Sequence, residues 1–168
     1  MNTFKKVFLF AFVLMLVASS VSAQTAQQGK TLAGLQRVYL EVKVSENNSK
    51  LGANALDAAE FQRKANLELR KTSVKVLGAL SEVDAQKDGV LTMAFVLGQN
   101  TDSYDVVLQI NLQQGVSLTR TNTFVQIPTW SYQSTKRTAA ASVPAEAKAL
   151  FEKAMETFLS QYLDANGK

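Results

Sequence analysis

Two neighbouring stretches decide the fold: Val90-Leu-Thr-Met-Ala-Phe-Val-Leu97 and, after Gly98-Gln-Asn-Thr-Asp102, Tyr104-Asp-Val-Val-Leu-Gln-Ile-Asn-Leu112. The first is apolar on both parities, interrupted only by Thr92. A strand sends alternate side chains to opposite faces, so a short run of this kind predicts a strand buried on both. Gly98–Asp102 holds turn residues. The second stretch alternates, with Tyr104, Val106, Leu108, Ile110 and Leu112 on one side and Asp105, Gln109, Asn111 and Gln113 on the other. That pattern predicts a strand with one dry and one wet face.

Downstream, Gly115 marks a candidate bulge, and Val116 and Leu118 continue the strand beyond it. Arg120-Thr-Asn-Thr123 turns the chain, and Phe124–Tyr132 predicts another strand. Pro128 has no N–H to give a ladder, which places it at an edge or a bulge. Ser134–Ser142 reads as a polar connector. A helix is predicted from Pro144 to Ala165, with Ser142 or Val143 as cap and Asn166-Gly167 as its stop. Ala147, Phe151, Ala154, Phe158 and Tyr162 line one helical face, and Leu150, Leu159 and Leu163 widen it.

Upstream, Arg37–Ser45 alternates cleanly, with Val38, Leu40, Val42 and Val44 on one face. Glu46–Lys50 is a loop by composition. Ala55–Lys71 predicts a helix, with Ala58, Phe61, Ala65 and Leu69 at helical spacing and Asn54 or Asp57 as cap. A short strand follows at Ser73–Leu77, then a polar loop over Ser81–Gly89 that ends on the turn signal Asp88-Gly89. The resulting order, β-α-β-β-β-β-α, predicts an α+β fold. Its mainly antiparallel sheet of about five strands carries two helices packed on one face.

The start of the chain has a different character. Lys5 and Lys6 precede the apolar run Val7–Ala18, and Ser19-Ser-Val-Ser-Ala23 places small residues at the two key positions of a cleavage site. This predicts a secretory signal peptide over 1–23, cut after Ala23. The apolar run falls short of the ~20 residues that span a bilayer. Residues 24–34 are polar and predict a flexible leader, and 35–168 a single α+β domain. There is no cysteine to carry lipid, so a periplasmic or secreted protein with no stable membrane anchor is expected. Disulfides are excluded, and the fold must rest on its apolar core. The formal charge of +4 falls to +2 once Lys5 and Lys6 are removed. That balance gives no footprint for nucleic acid.

The chain has neither histidine nor cysteine. The commonest general base, the thiol nucleophile and the preferred zinc ligands are therefore all missing. No serine sits three residues before a lysine in a predicted helix, and no phosphate-cradling glycine pattern is present. Asp102 and Asp105 flank a strand start, where turn formation accounts for them. A protein without catalytic, cofactor or metal sites is expected.

The candidate partner-binding residues are Trp130, Tyr132, Lys136 and Arg137, an aromatic pair followed by two cations. The competing reading has Trp130 filling the core beneath a helix. The wide face of the last helix also has two readings. Either it is fully buried, or part of it covers a second subunit of a homo-oligomer.

Leu35-Gln-Arg-Val-Tyr-Leu-Glu-Val42, the Tyr104–Leu118 strand, Thr129-Trp-Ser131 and Phe158-Leu-Ser-Gln-Tyr-Leu-Asp-Ala-Asn166 together resemble a recurring type of small exported bacterial domain of unknown function. The element order is similar to that of envelope accessory domains. Examples are the N-terminal domain of the Tol–Pal propeller protein and the outer-membrane lipoproteins that activate peptidoglycan synthases. The resemblance implies a non-catalytic binding or accessory module that contacts an envelope protein. It departs from the lipoproteins in lacking the lipid-bearing cysteine. The alternative expectation is a small-molecule or glycan binder with a pocket between the last helix and the sheet.

Overall fold

A computed structural model describes residues 28–167, so the predicted signal peptide 1–23 and residues 24–27 lie outside the described residues. The strands are β1 (Arg37–Val44), β2 (Lys75–Leu77), β3 (Gly89–Gln99), β4 (Tyr104–Leu118) and β5 (Thr123–Thr138). Among the described residues the two long α-helices are α1 (Ala58–Leu69) and α2 (Val143–Ala165). The sheet runs β2-β1-β3-β4-β5. β1 is parallel to both its neighbours, while β3, β4 and β5 pair antiparallel. A parallel return needs a crossover, and α1 supplies the one between β1 and β2. The α+β fold with a mostly antiparallel sheet is thus the one expected.

One sheet face is dry. Leu91, Met93, Phe95 and Leu97 of β3 meet Val106, Leu108, Ile110 and Leu112 of β4 there, all essentially buried. Both helices cover this face. Phe61 of α1 stands 4.5 Å from the Phe95 ring and 5.4 Å from Phe151 of α2, so three elements share one aromatic cluster. Among the described residues the other face carries no α-helix. Val90, Thr92 and Ala94 are only half-buried there, and Val96 is 41% exposed. The expectation that Val90–Leu97 is buried on both faces is therefore corrected. A central strand has a partner on each side, which partly shelters its second row of small and β-branched side chains without any covering layer.

Three local expectations change as well. β5 continues to Thr138 and absorbs most of the predicted Ser134–Ser142 connector. Its polar residues fit an edge strand with an open face. Gly115 is not bulged, since the β4–β5 ladder runs through it to Leu118. The register shifts instead at Leu112/Gln113, beside Pro128, whose missing N–H interrupts the ladder. The predicted flexible leader is packed from Gln28 onward. Leu32 is fully buried, and the Thr31 hydroxyl donates to the Thr129 carbonyl at 2.9 Å.

Caps and one ion pair fix the ends of elements. The Asp57 carboxylate accepts from the Ala59 N–H at 2.8 Å and starts α1. Ser142 makes no such bond, and Pro144 in the first turn opens α2 instead. Asp88, read from sequence as a turn residue, is buried, at 2% exposure. It accepts from Arg37 Nε at 2.7 Å and from the Asp84 N–H at 2.7 Å. A charge is taken out of water only when such donors replace it. The pair ties the loop before β3 to the start of β1.

Candidate partner-binding site

The four candidate residues do not form one surface. Trp130 is 2% exposed, its ring edge-on to Phe158 at 5.1 Å and its indole N–H bonded to Gln161. It fills the core beneath α2. Tyr132 stacks beside it at 6.4 Å and is half-buried. Lys136 and Arg137 are successive strand residues and so point to opposite faces. Both are exposed, and Arg137 is engaged by Asp105 through bonds of 2.7 and 3.0 Å. That guanidinium holds the Asp105 carboxyl down to about 2. Trp130 thus follows the competing reading as a core residue, while Tyr132 is half-exposed and Lys136 and Arg137 lie at the surface. Along β5, Trp130, Tyr132 and Lys136 share the face of Leu112, Ile110 and Val106, and only Arg137 points to the other.

Two other features offer uncovered apolar surface. The first is a groove of about 760 Å³ between α1 and α2. Phe151, Met155, Leu159 and Leu163 recur every four residues along α2 and make an apolar stripe. Lys148, Glu152, Glu156 and Ser160 make a polar stripe beside it. Lys64, Leu67 and Glu68 of α1 form the opposite bank, with Leu67 59% exposed. Leu159 and Leu163, which widened the predicted helix face, are only half-buried because they line this groove. The groove lies between the two helices rather than between α2 and the sheet.

Its charges are mostly self-paired. Lys148 lies 3.8 Å from Glu152, Lys64 pairs with Glu60, and Lys71 with Glu68. Glu156 forms no ion pair among the described residues. Among these residues no three carboxylates gather as a metal site.

The second feature is the outer half of the β4–β5 hairpin. β3 begins at Gly89 opposite Gln114, and beyond it β4 and β5 continue as a two-stranded arm. Cross-strand partners share a face, so Gln114/Ile127, Val116/Val125 and Leu118/Thr123 prolong the dry face of the sheet. Leu118 is 45% and Ile127 41% exposed, so this stripe is left uncovered. On the reverse face, Phe124 lies over Gly115 against the loop at Ala85. Arg120, at the tip, is the only charged residue from Gln113 to Thr129. Sequence reading missed the arm because its alternation is the same as that of the buried strand it extends.

No protein-family model and no curated protein matches the chain. Among solved structures, it is similar to the PelC dodecamer from Paraburkholderia phytofirmans at 16% identity, covering 75% of this chain and 89% of that one, with a TM-score of 0.40. It is also similar to a minor lipoprotein from Acinetobacter baumannii at 9% identity, covering 77% and 92%, with a TM-score of 0.30.

Proposed function

We propose that this chain is an exported, non-catalytic module of the cell envelope that works by protein contact, with the α1–α2 groove as its contact surface. One observation carries the reading. The groove has an apolar floor of Phe151, Met155, Leu159 and Leu163, an exposed Leu67 on its far bank, and a rim of charged side chains. An apolar centre ringed by polar groups is the anatomy of a protein interface. A pocket for a glycan would instead converge several polar groups on one ligand. The signal-like sequence of residues 1–23 supports export. Among the described residues no helix is long and apolar enough to cross a membrane.

A photocrosslinking amino acid at Leu67, introduced into the protein in intact cells, tests the reading. Protein adducts are expected at Leu67 and not at Thr92, which lies on the helix-free face of the sheet. A folded protein that forms no protein adduct at Leu67 overturns it. Export is checked separately by N-terminal sequencing of the released protein, which is expected to begin at Gln24.

A further inference from the structure

We infer that the α1–α2 groove receives the β4–β5 arm of a second copy of this chain, joining copies head to tail. The inference rests on the groove being a protein-contact surface. The described residues carry two separate uncovered apolar surfaces, and each has the form the other lacks. The groove is concave, and the arm is a narrow two-stranded ribbon. A free two-stranded ribbon is weakly stable by itself, so its apolar face has reason to be packed.

The dimensions agree. From Gln114 to Leu118 the arm stripe runs about 13 Å at the rise of a strand. From Phe151 to Leu163 the groove stripe runs about 18 Å at the rise of a helix. The stripe therefore lies within the groove with room for the turn.

Charge favours the same occupant. The arm is uncharged except for Arg120, which forms no ion pair among the described residues. The groove lining holds three carboxylates against two ammonium groups, and Glu156 is the carboxylate left without an ion pair. Seating Leu118 and Ile127 on the apolar floor brings Arg120 to the rim, where Glu156 is the natural partner. A contact between two different patches is heterologous, so its repetition gives a ring or a filament rather than a closed two-fold dimer.

Sedimentation of the exported protein over a wide concentration range tests this. Concentration-dependent self-association is expected. Ile127→Glu on the arm and Leu67→Glu in the groove change exposed residues, so both variants should fold. Each should weaken association about tenfold or more, the equivalent of ~1.4 kcal/mol. Mixing the two variants should restore association as a one-to-one dimer, because each mixed pair has one intact arm and one intact groove. Arg120→Glu should weaken association about fivefold, and adding Glu156→Arg should recover most of that loss.

A protein that stays monomeric throughout overturns the inference. So does association that survives both apolar substitutions, or a mixture that recovers nothing. If the wild type is monomeric and Leu67 crosslinks to a different protein, self-docking fails while the contact-module reading stands. If Leu67 crosslinks to no protein, both fail.

Discussion

The indole N–H of Trp130 donates to Gln161 Oε1 at 2.6 Å, joining the edge strand to the last helix. β5 has a ladder partner on one side only, and this bond and the Phe158 contact help to hold its centre against α2. Gln161→Leu leaves a buried N–H without an acceptor, a loss of about 1–3 kcal/mol. Trp130→Ala also opens a cavity and should lose about 3–5 kcal/mol. Urea unfolding curves measure both. For Gln161→Leu the single tryptophan also reports its own surroundings by fluorescence. A Gln161→Leu variant as stable as the wild type would mean that the bond contributes nothing.

Gly115 sits under the Phe124 ring for a steric reason. A Cβ at this position would lie 1.9 Å from Phe124 Cζ and 2.1 Å from the Ala85 carbonyl oxygen. The ring end can swing away, but the backbone carbonyl cannot without moving its loop. Gly115→Ala should therefore lower stability by about 1–3 kcal/mol, the usual range for overpacking. Adding Phe124→Ala should recover only part of the loss, because the clash with Ala85 remains. Thermal melts of the two variants decide it. Full recovery in the double variant would show that the ring alone set the requirement for glycine.

Much of this architecture was legible in the sequence, and the misses have physical causes. The alternation of Tyr104–Leu112 located β4, and the spacing of Phe61, Ala65 and Leu69 located α1. Apolarity on both parities did not distinguish a strand covered on both faces from one sheltered by neighbouring strands, so the open face at Val96 was missed. Asp88-Gly89 looked like an ordinary turn because the donor that buries Asp88, Arg37, is far away in sequence. The candidate contact residues were grouped on proximity in the chain alone. Trp130 is close to the two cations in the chain but is buried, and alternation sends Arg137 to the face opposite Lys136. The groove left a partial signal in Leu159 and Leu163, beyond what one packed helix face needs.

The helix starts give a paired prediction. Asp57→Ala removes the acceptor for the Ala59 N–H and should lose about 1 kcal/mol. Ser142→Ala removes a side chain that caps nothing in α2 and should be nearly neutral. Denaturation midpoints of the two variants, measured side by side, check the contrast. Equal effects would contradict the assignment of caps.

Acid should destabilise the fold through three aspartates held below their ordinary value: Asp84, chiefly by the Gln86 N–H, Asp88 and Asp105. Hydrogen bonding by Arg37 holds the Asp88 carboxyl below its ordinary value, against the opposing effect of burial. Asp105 is held at about 2, first by Arg137 and then by Asn100. A carboxyl whose folded pKa lies below its unfolded one adds stability above the unfolded value and loses it as pH falls through the folded value. With an unfolded aspartate near ~3.9, stability should be level from neutral pH to about 5 and then decline towards pH ~2. Asp88→Asn should lower stability at neutral pH by about 2 kcal/mol, the scale of a buried charge-assisted bond. Its deficit should shrink as pH falls below ~4, where the unfolded wild type takes up a proton that the folded carboxyl still refuses, and vanish once pH passes below the folded value. Salt separates the two sites, because screening weakens the exposed Asp105–Arg137 pair far more than the enclosed Asp88–Arg37 pair. Urea titrations at several pH values, in low and high salt, measure all of this. An Asp88→Asn deficit that stays constant down to pH ~2 would mean that the carboxylate's charge is not what holds the loop before β3 to β1.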